Sequence, residues 1–346
     1  MKLKCFTTGT KDIGIDLGTS NILVTLGRKG IVLNEPSVIA IDKKSGEIIA
    51  TGNEAKEMIG RTPSNINAVQ PLKNGVIADF TATQLLLKNI ISRVRAKYNI
   101  TKPRVVVGIP TGITEVEERA VEESVLQAGS REVYLIEEPM AAAIGAGLEV
   151  AEPTGNMIVD IGGGTTEVAV VSLGGVVVSN AIRVAGDELN NNIIDFVKKE
   201  LNLAIGRSTA EQIKIQIGCA MPLMADMTME VSGRDLRSGL PKTIEIHSTQ
   251  IMMAMQDSIS QITDMIKMTL ERTPPELSAD ISIKGIILAG GGALIQNLDK
   301  LISYRTNMPV YIAEDPMFCV VRGAQKTVQD LENLKKVLVD SRKRRK

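Results

Sequence analysis

Along the chain, short continuous apolar runs of buried-strand length are separated by longer stretches in which apolar residues return at helical spacing. Arg104 to Ile109 is one such run, closed by Pro110, and Val133 to Ile136 is another. Between them Thr114-Glu115-Val116-Glu117 forms a capping box that opens a helix ending at Gly129. Thr81 to Ala96 carries an amphipathic helical pattern. Ile251, Met255, Ile259, Ile262, Ile266 and Leu270 mark one face of a long helix that Thr273-Pro274-Pro275 terminates. The other methionines of that helix read as core filler. Gly30 to Ile41 reads as strand with an edge or bend at Pro36, Asn53 to Gly60 as a short helix, and Val176 to Asn180 as strand. Ser208-Thr209-Ala210-Glu211 is a second capping box, placed to open a helix over Glu211 to Ile217, and Met221 to His247 is a small strand-rich insertion. Strand and helix in alternation predict α/β layers.

Glycine breaks the pattern in two related places. Asn156 to Val171 gives an apolar run ending in Asp160, then Gly162-Gly163-Gly164, then Thr165-Thr166 and a second apolar run. This predicts a hairpin whose turn lets the backbone approach a ligand and aim N–H groups at a phosphate chain, with Asp160 placed to hold a hydrated Mg²⁺. A turn of this kind also serves as a plain structural hairpin. The tie is broken by Asp12 to Leu26, where Asp16 matches Asp160 and Gly18 matches Gly162. The copies stand too far apart for a solenoid repeat, and suggest two similar domains, each offering one hairpin to a shared ligand. A third turn, Gly290-Gly291-Gly292-Ala293, follows the apolar run Ile286 to Ala289 and is suited to pass under a flat base or ribose.

Two Asp-x-Gly hairpins and a late glycine triplet resemble the actin/Hsp70/sugar-kinase ATPase superfamily. The wording DIGIDLGTSN, GIVLNEPSVIAID, GVIADF, IEEPMAAAIGAG, DIGGGTTEVAV, STAEQIK, RTPPELSADI and LAGGGALI resembles the bacterial actin MreB family from residue 12 to about residue 295. The resemblance implies an actin-like ATPase fold: two similar α/β domains, each with a smaller inserted subdomain, and a nucleotide in the cleft between them. Domain I is expected over 8–150 (subdomain about 39–72), domain II over 151–314 (subdomain about 187–248), with 315–346 returning to domain I. It further implies ATP as ligand, with GTP as the alternative, together with Mg²⁺, slow hydrolysis and assembly into filaments when the domains close around the nucleotide.

Phosphate charge is then met by the backbone around Gly18, Thr19, Ser20 and Asn21 and around Gly162, Gly163 and Gly164, by the hydroxyls of Thr19, Ser20, Thr165 and Thr166, and by Mg²⁺ held through water by Asp16 and Asp160. Leu23 stands where actin has a phosphate-binding lysine, which increases dependence on the metal. Glu137-Glu138-Pro139 opens a helix, and the helix dipole alone accounts for carboxylates there. The resemblance assigns Glu138 the water-activating position, with Thr165 assisting, and runs this helix along the cleft floor. Glu211 and Lys214 share a helix face as cap and ion pair; the family reading adds contacts to the nucleoside. Gly186, Asp187, Glu188 and Gly290, Gly291, Gly292, Ala293 also match binding positions. Asn190 departs from a common Asp, and Ala289 from a common Thr.

Composition narrows the remaining choices. Forty basic and forty acidic residues give zero net charge, and aromatics are 2% with no Trp, so a nucleic-acid role is disfavoured. Cys5, Cys219 and Cys319 lack paired spacing and predict reduced thiols in the cytoplasm. No apolar run has membrane-spanning length and the start lacks a signal-peptide pattern. GxxxxGK[ST] and strand–GxGxxG–helix motifs are both missing, which disfavours P-loop and Rossmann enzymes. His247 has no ligand cluster around it and reads as structural. Arg342 to Lys346 puts five positive charges in the last five positions. This tail, and the apolar residues of Tyr98-Asn99-Ile100, are the expected contacts with an anionic membrane surface, giving a location peripheral to the inner face of the cell membrane. The alternative is a small-molecule kinase of the same fold, which needs an acceptor pocket with a general-base Asp that no stretch marks. An Hsp70-like chaperone is disfavoured because the chain leaves no room for a peptide-binding domain.

Overall fold

The computed structural model describes residues 11–73 and 75–339, and the chain divides into two compact units. The first runs to Glu152 and takes back Ser172–Val176 and the chain from Phe318; the second comprises Pro153–Val171 and Val177–Met317.

In the first unit the apolar run after Asp12 forms β1 (Ile13–Leu17), and β2 (Asn21–Leu26) returns antiparallel to it with Asp16 opposite Leu23. β3 (Ile31–Pro36) continues the meander and stops at Pro36, which cannot donate to a ladder. β4 (Ile39–Asp42), β5 (Ile48–Thr51) and β6 (Ile66–Val69) make a separate small sheet, and α1 (Gly52–Met58) joins its core of Val38, Ala40, Ala50 and Ala55. A short hairpin, β7 (Leu72–Lys73) and β8 (Val76–Ile77), precedes α2 (Phe80–Tyr98), whose N-cap Asp79 accepts from the Ala82 N–H at 2.9 Å. β9 (Arg104–Ile109), α3 (Glu115–Gln127), β10 (Glu132–Glu137) and α4 (Glu138–Gly145) follow. The Thr114–Glu117 capping box of α3 is present as expected. β9 and β10 run parallel to β1, so the large sheet has the order β10-β9-β1-β2-β3.

The second unit repeats this scheme. β11 (Asn156–Ile161), β12 (Thr166–Ser172) and β13 (Gly175–Ile182) form the meander. Then come α5 (Gly186–Glu200), β14 (Leu203–Ala204), α6 (Arg207–Ile217), β15 (Thr228–Asp235), β16 (Pro241–His247), α7 (Ser248–Glu271) and α8 (Pro275–Lys284). β17 (Ile286–Ala289), α9 (Leu298–Thr306) and β18 (Val310–Ile312) complete it. β17 and β18 add parallel to β11, giving β13-β12-β11-β17-β18. The sequence repeat is therefore a topological repeat: an antiparallel three-strand meander with two parallel strands added beside its first strand. β14, β15 and β16 form the separate small sheet. The buried face of α7, with Ile251, Met255, Ile259, Ile262 and Ile266, joins the second core, as its spacing predicts. His247 is structural: its ring pairs with Asp226 at 2.8 Å and its N–H donates to Gln250 Oε1 at 3.0 Å at the start of α7.

One helix start differs from the sequence reading. α6 begins at Arg207 after Gly206, which takes the extended cap conformation, rather than at Glu211 behind a Ser208 cap. Ser208 and Thr209 lie inside the first turn, and Arg207 reaches Asp187 of α5 at 3.2 Å.

α10 (Cys319–Gln329) and α11 (Leu331–Leu334) close the first unit. α10 lies unusually near its neighbours because glycines stand at the contacts. A Cβ on Gly145 of α4 would overlap the Cys319 carbonyl oxygen, and one on Gly323 of α10 would overlap the Ala141 carbonyl oxygen. A Cβ on Gly14 of β1 would sit 2.8 Å from the Gln325 nitrogen, and one on Gly108 of β9 would sit 3.0 Å from Val320 Cγ1. Val321, Ala324 and Val328 of α10 are fully buried.

Candidate functional site

In the first unit the parallel register sets Asp16 of β1 beside Gly108 of β9, and Gly108 beside Ile136 of β10. Glu138 comes two residues after Ile136, so Asp16 and Glu138 share the C-terminal edge of the parallel strands, where open α/β sheets bind ligands. Both are buried, at 9% and 8% exposure. A Cβ on Gly108 would lie 3.7 Å from Glu138 Cγ, an ordinary packing contact that places the glutamate over the end of β9. The turn after Asp16 is held from outside: Ser37 Oγ donates to the Gly18 carbonyl at 2.6 Å, and the Ser37 N–H to the Ser20 carbonyl at 2.9 Å. Thr19 Oγ1 accepts from the Gly75 N–H at 3.1 Å, and Asn21 Nδ2 donates to Asn34 Oδ1 at 2.8 Å. Sequence reasoning missed Ser37; the only local signal is its place directly after Pro36, where β3 ends. Leu23 is buried and brings no charge.

In the second unit Asp160 pairs in register with Ala289 of β17, so the third glycine turn follows directly beside it. Gly290 is in the left-handed region (φ 79), and a Cβ there would overlap Asp160 Oδ1 and the Ile161 carbonyl oxygen; one on Gly292 would overlap Ile161 Cγ2. Turns far apart in sequence thus fold over one strand end, with Ala293 fully buried beneath. α5 docks on the same place. The Gly186 N–H donates to the Gly162 carbonyl at 3.1 Å and the Asp187 N–H to the Gly163 carbonyl at 2.7 Å. Lys214 Nζ, from α6, donates to the Gly186 carbonyl at 2.8 Å, and Glu211 lies one turn earlier on that face. Glu188 Oε2 accepts from Asn191 Nδ2 at 3.1 Å. The structure therefore gathers Asp160, Gly162, Gly163, Gly186, Asp187, Lys214 and Gly290–Gly292 in one place.

Two expectations change, those for Thr166 and Ile100. Thr166, placed among the phosphate hydroxyls, is fully buried and donates its hydroxyl to the Val184 carbonyl at 2.7 Å, while Thr165 is half-buried at the turn. The N–H groups of Gly186 and Asp187 are committed to the hairpin carbonyls, so these residues shape the turn through the backbone. Ile100, expected as an apolar membrane contact, is 6% exposed and belongs to the first core. Asn99 ends α2 in the left-handed conformation (φ 50) and turns Ile100 inward, while Lys29 and Lys97 stand over the Tyr98 ring at 4.6 and 5.5 Å from its centroid. Arg342 to Lys346 and Cys5 lie outside the described residues; Cys219 and Cys319 are buried free thiols. Asn190, the departure from a common Asp, is buried, and its Oδ1 has no hydrogen-bond partner among the described residues.

Burial pushes the Asp160 carboxyl up to about 7. Among the described residues no three His, Cys, Asp or Glu side chains converge as a metal cage. That donor set fits Mg²⁺, which keeps its waters and takes one or two carboxylates plus phosphate oxygens, and the desolvated Asp160 carboxyl is a group such an ion would hold in its charged form. No helix among the described residues is long and apolar enough to cross a membrane.

Residues 10–336 match the family model described as MreB/Mbl protein. The cell shape-determining protein Mbl of Bacillus subtilis is 48% identical over 326 residues, covering 94% of this chain and 98% of that one. The cell shape-determining protein MreB of Escherichia coli is 49% identical over 328 residues, with 93% and 94% covered. The crystal structure of MreB 5 of Spiroplasma citri bound to AMPPNP superposes with a TM-score of 0.87 at 41% identity, covering 93% of this chain and 96% of that one.

Proposed function

We infer that this chain, which belongs to the MreB/Mbl family and has the actin-like fold, is a filament-forming bacterial actin that binds ATP with Mg²⁺, hydrolyses it slowly and organises cell shape at the inner face of the membrane. One observation carries the reading: each unit ends the first strand of its meander in an aspartate and a glycine turn, on the edge where its parallel strands finish. The AMPPNP bound to the Spiroplasma citri relative supports an adenine nucleotide as the ligand. The hairpin turns hold the phosphates through backbone N–H groups, and Thr19, Ser20 and Thr165 add hydroxyls. Gly290–Gly292 and Glu211 face the nucleoside. Asp16 and Asp160 would hold a hydrated Mg²⁺ through its waters, and that ion would supply positive charge beside the phosphates. Glu138 orients the attacking water and takes its proton as the water oxygen bonds to the γ-phosphorus and the bond from that phosphorus to the β,γ-bridging oxygen breaks, so that ADP and phosphate leave. Light scattering and phosphate release on adding Mg-ATP test this together. Phosphoryl transfer to a small molecule, with no rise in scattering, would instead indicate a kinase.

Asp16→Ala and Asp160→Ala should each weaken Mg-ATP binding, and the double variant should lose less than the sum of the two, because groups that share one ligand couple. Isothermal titration checks this; unchanged affinity in either single variant would remove that carboxylate from the metal.

The membrane contact is electrostatic. Val339 N–H donates to the Leu135 carbonyl at 2.9 Å and Leu338 bridges Ile136 in antiparallel sense, so the described chain runs toward Glu132, at the N-terminal edge of the parallel strands. Lys11, which donates to the Asn99 carbonyl at 2.8 Å, and Arg28 and Lys29, which follow β2, stand at that edge with Lys97. We assign the cations of Arg342 to Lys346 to the same contact from the sequence, each being worth about 1 kcal/mol at an anionic surface. Filaments should sediment with anionic but not neutral liposomes and be released by high salt. Deleting Arg342 to Lys346 should weaken sedimentation and leave hydrolysis intact; undiminished sedimentation at low salt would exclude the tail as anchor.

A further inference from the structure

α6 meets the start of α5 at two points, both cationic. Arg207, in its first turn, pairs with the Asp187 carboxylate at 3.2 Å, and Lys214, two turns later on the same side, donates to the Gly186 carbonyl at 2.8 Å. Gly186 and Asp187 are the two residues whose N–H groups bond the Gly162 and Gly163 carbonyls. There is little slack at this junction: a Cβ on Gly186 would lie 3.2 Å from Lys214 Nζ and 3.3 Å from the Gly162 oxygen. Farther along α6, a Cβ on Gly218 would overlap the Lys214 carbonyl oxygen, so the end of the helix is tightly closed too.

We propose that Arg207 is a positioning residue for the phosphate turn: with Lys214 it clamps the start of α5 onto Gly162–Gly163 and so sets where that turn presents its N–H groups to the nucleotide phosphates. This rests on the ATP reading above and adds a residue outside the positions assigned there to the nucleotide. The clamp also links two parts of the site. Glu211, which faces the nucleoside, lies on α6 between the two cations, so a shift of α6 as the nucleoside seats is carried through Asp187 and Gly186 to the phosphate turn. The Gly186 carbonyl and the Asp187 N–H belong to one peptide group, so a continuous hydrogen-bonded chain runs from the Lys214 ammonium through that group to the Gly163 carbonyl of the turn.

The test compares Arg207→Met, Arg207→Lys and Lys214→Met by amide hydrogen exchange and by titration with Mg-ADP. Arg207 is about half exposed, its side chain at 51%, so the pair is partly screened and its removal should be modest. In Arg207→Met the Gly186 and Asp187 amides should exchange roughly fivefold faster, and Mg-ADP should bind roughly fivefold more weakly, with the melting temperature held. Arg207→Lys should restore most of both, because it keeps the charge. Lys214→Met should shift the same amides further, because its bond is less exposed. Unchanged exchange at Gly186 and Asp187 in Arg207→Met overturns the clamp. So does unchanged Mg-ADP affinity where exchange has quickened, since the turn would then not depend on α5. Wild-type protein that binds no Mg-ADP overturns the ATP reading itself, a separate outcome, because the exchange measurement needs no nucleotide.

Discussion

Glu138→Ala should leave Mg-ATP bound while phosphate release falls by about 10²- to 10⁴-fold, the usual contribution of one positioned acid–base group. The reasons are geometric. Glu138 is the first residue of α4 and comes directly off β10, so a strand end and a helix start fix its backbone together. Pro139 presets the first turn, and Glu138 is buried at the end of β9 beside Gly108. Removing the carboxylate takes away nothing that the glycine turns use to hold phosphate, so affinity and turnover should separate. Glu138→Gln tests the same role with little change of shape: it can still orient a water but cannot accept its proton, and it should remain slow. Equal single-turnover release from wild type and Glu138→Ala would move catalysis to another group.

The largest loss of stability should come from a position remote from the chemistry. Gly323→Val should lower the melting temperature of the first unit by about 10 °C or more, if the variant folds at all. The first added carbon meets the Ala141 carbonyl oxygen, a backbone atom that no rotamer change moves aside, and Gly145 is closed in the same way by Cys319. Overpacking of a core costs about 1–3 kcal/mol where side chains can yield, and more where backbone must. α10 would have to lift from α4 and β1 together, exposing Val321, Ala324 and Val328. Gly206→Ala is the control: no atom lies within 4 Å of its added carbon. Circular dichroism melts of both variants check this, and a Gly323→Val melt equal to the control would show that α10 adapts.

Much of this was legible in the chain because its causes are local. A capping box is complete within four residues, so Thr114 announced α3 correctly. Hairpins carry their signal in the turn, so both Asp-x-Gly stretches were readable, and their likeness to each other showed the repeat before the sheets did. What failed depended on partners distant in sequence. Ser208 has the look of a cap, but Gly206 supplies the cap conformation, and Arg207 finds Asp187 only once α5 has docked. Tyr98-Asn99-Ile100 looked like an exposed apolar turn; a single left-handed residue sends Ile100 into the core. Gly14 stands inside a phosphate-binding motif, yet its freedom from a side chain serves α10, more than three hundred residues later in the chain. Thr166 shares its motif with Thr165, but Thr166 opens β12, which is buried at every position, while Thr165 stays in the turn before it.

The strands of the first sheet are also spacers. β1 has five residues, and four rises of about 3.3 Å hold its two ends about 13 Å apart, farther than the roughly 8 Å over which physiological salt screens an exposed charge. Asp16 and Glu138 stand at one end, and Lys11, Lys29 and Lys97 stand at the other. In the proposed reading, lipid charge acts at the basic end through solvent that salt screens, and it reaches the carboxylate end weakened by that distance. Membrane grip could then be adjusted at one end of the sheet without retuning nucleotide turnover at the other.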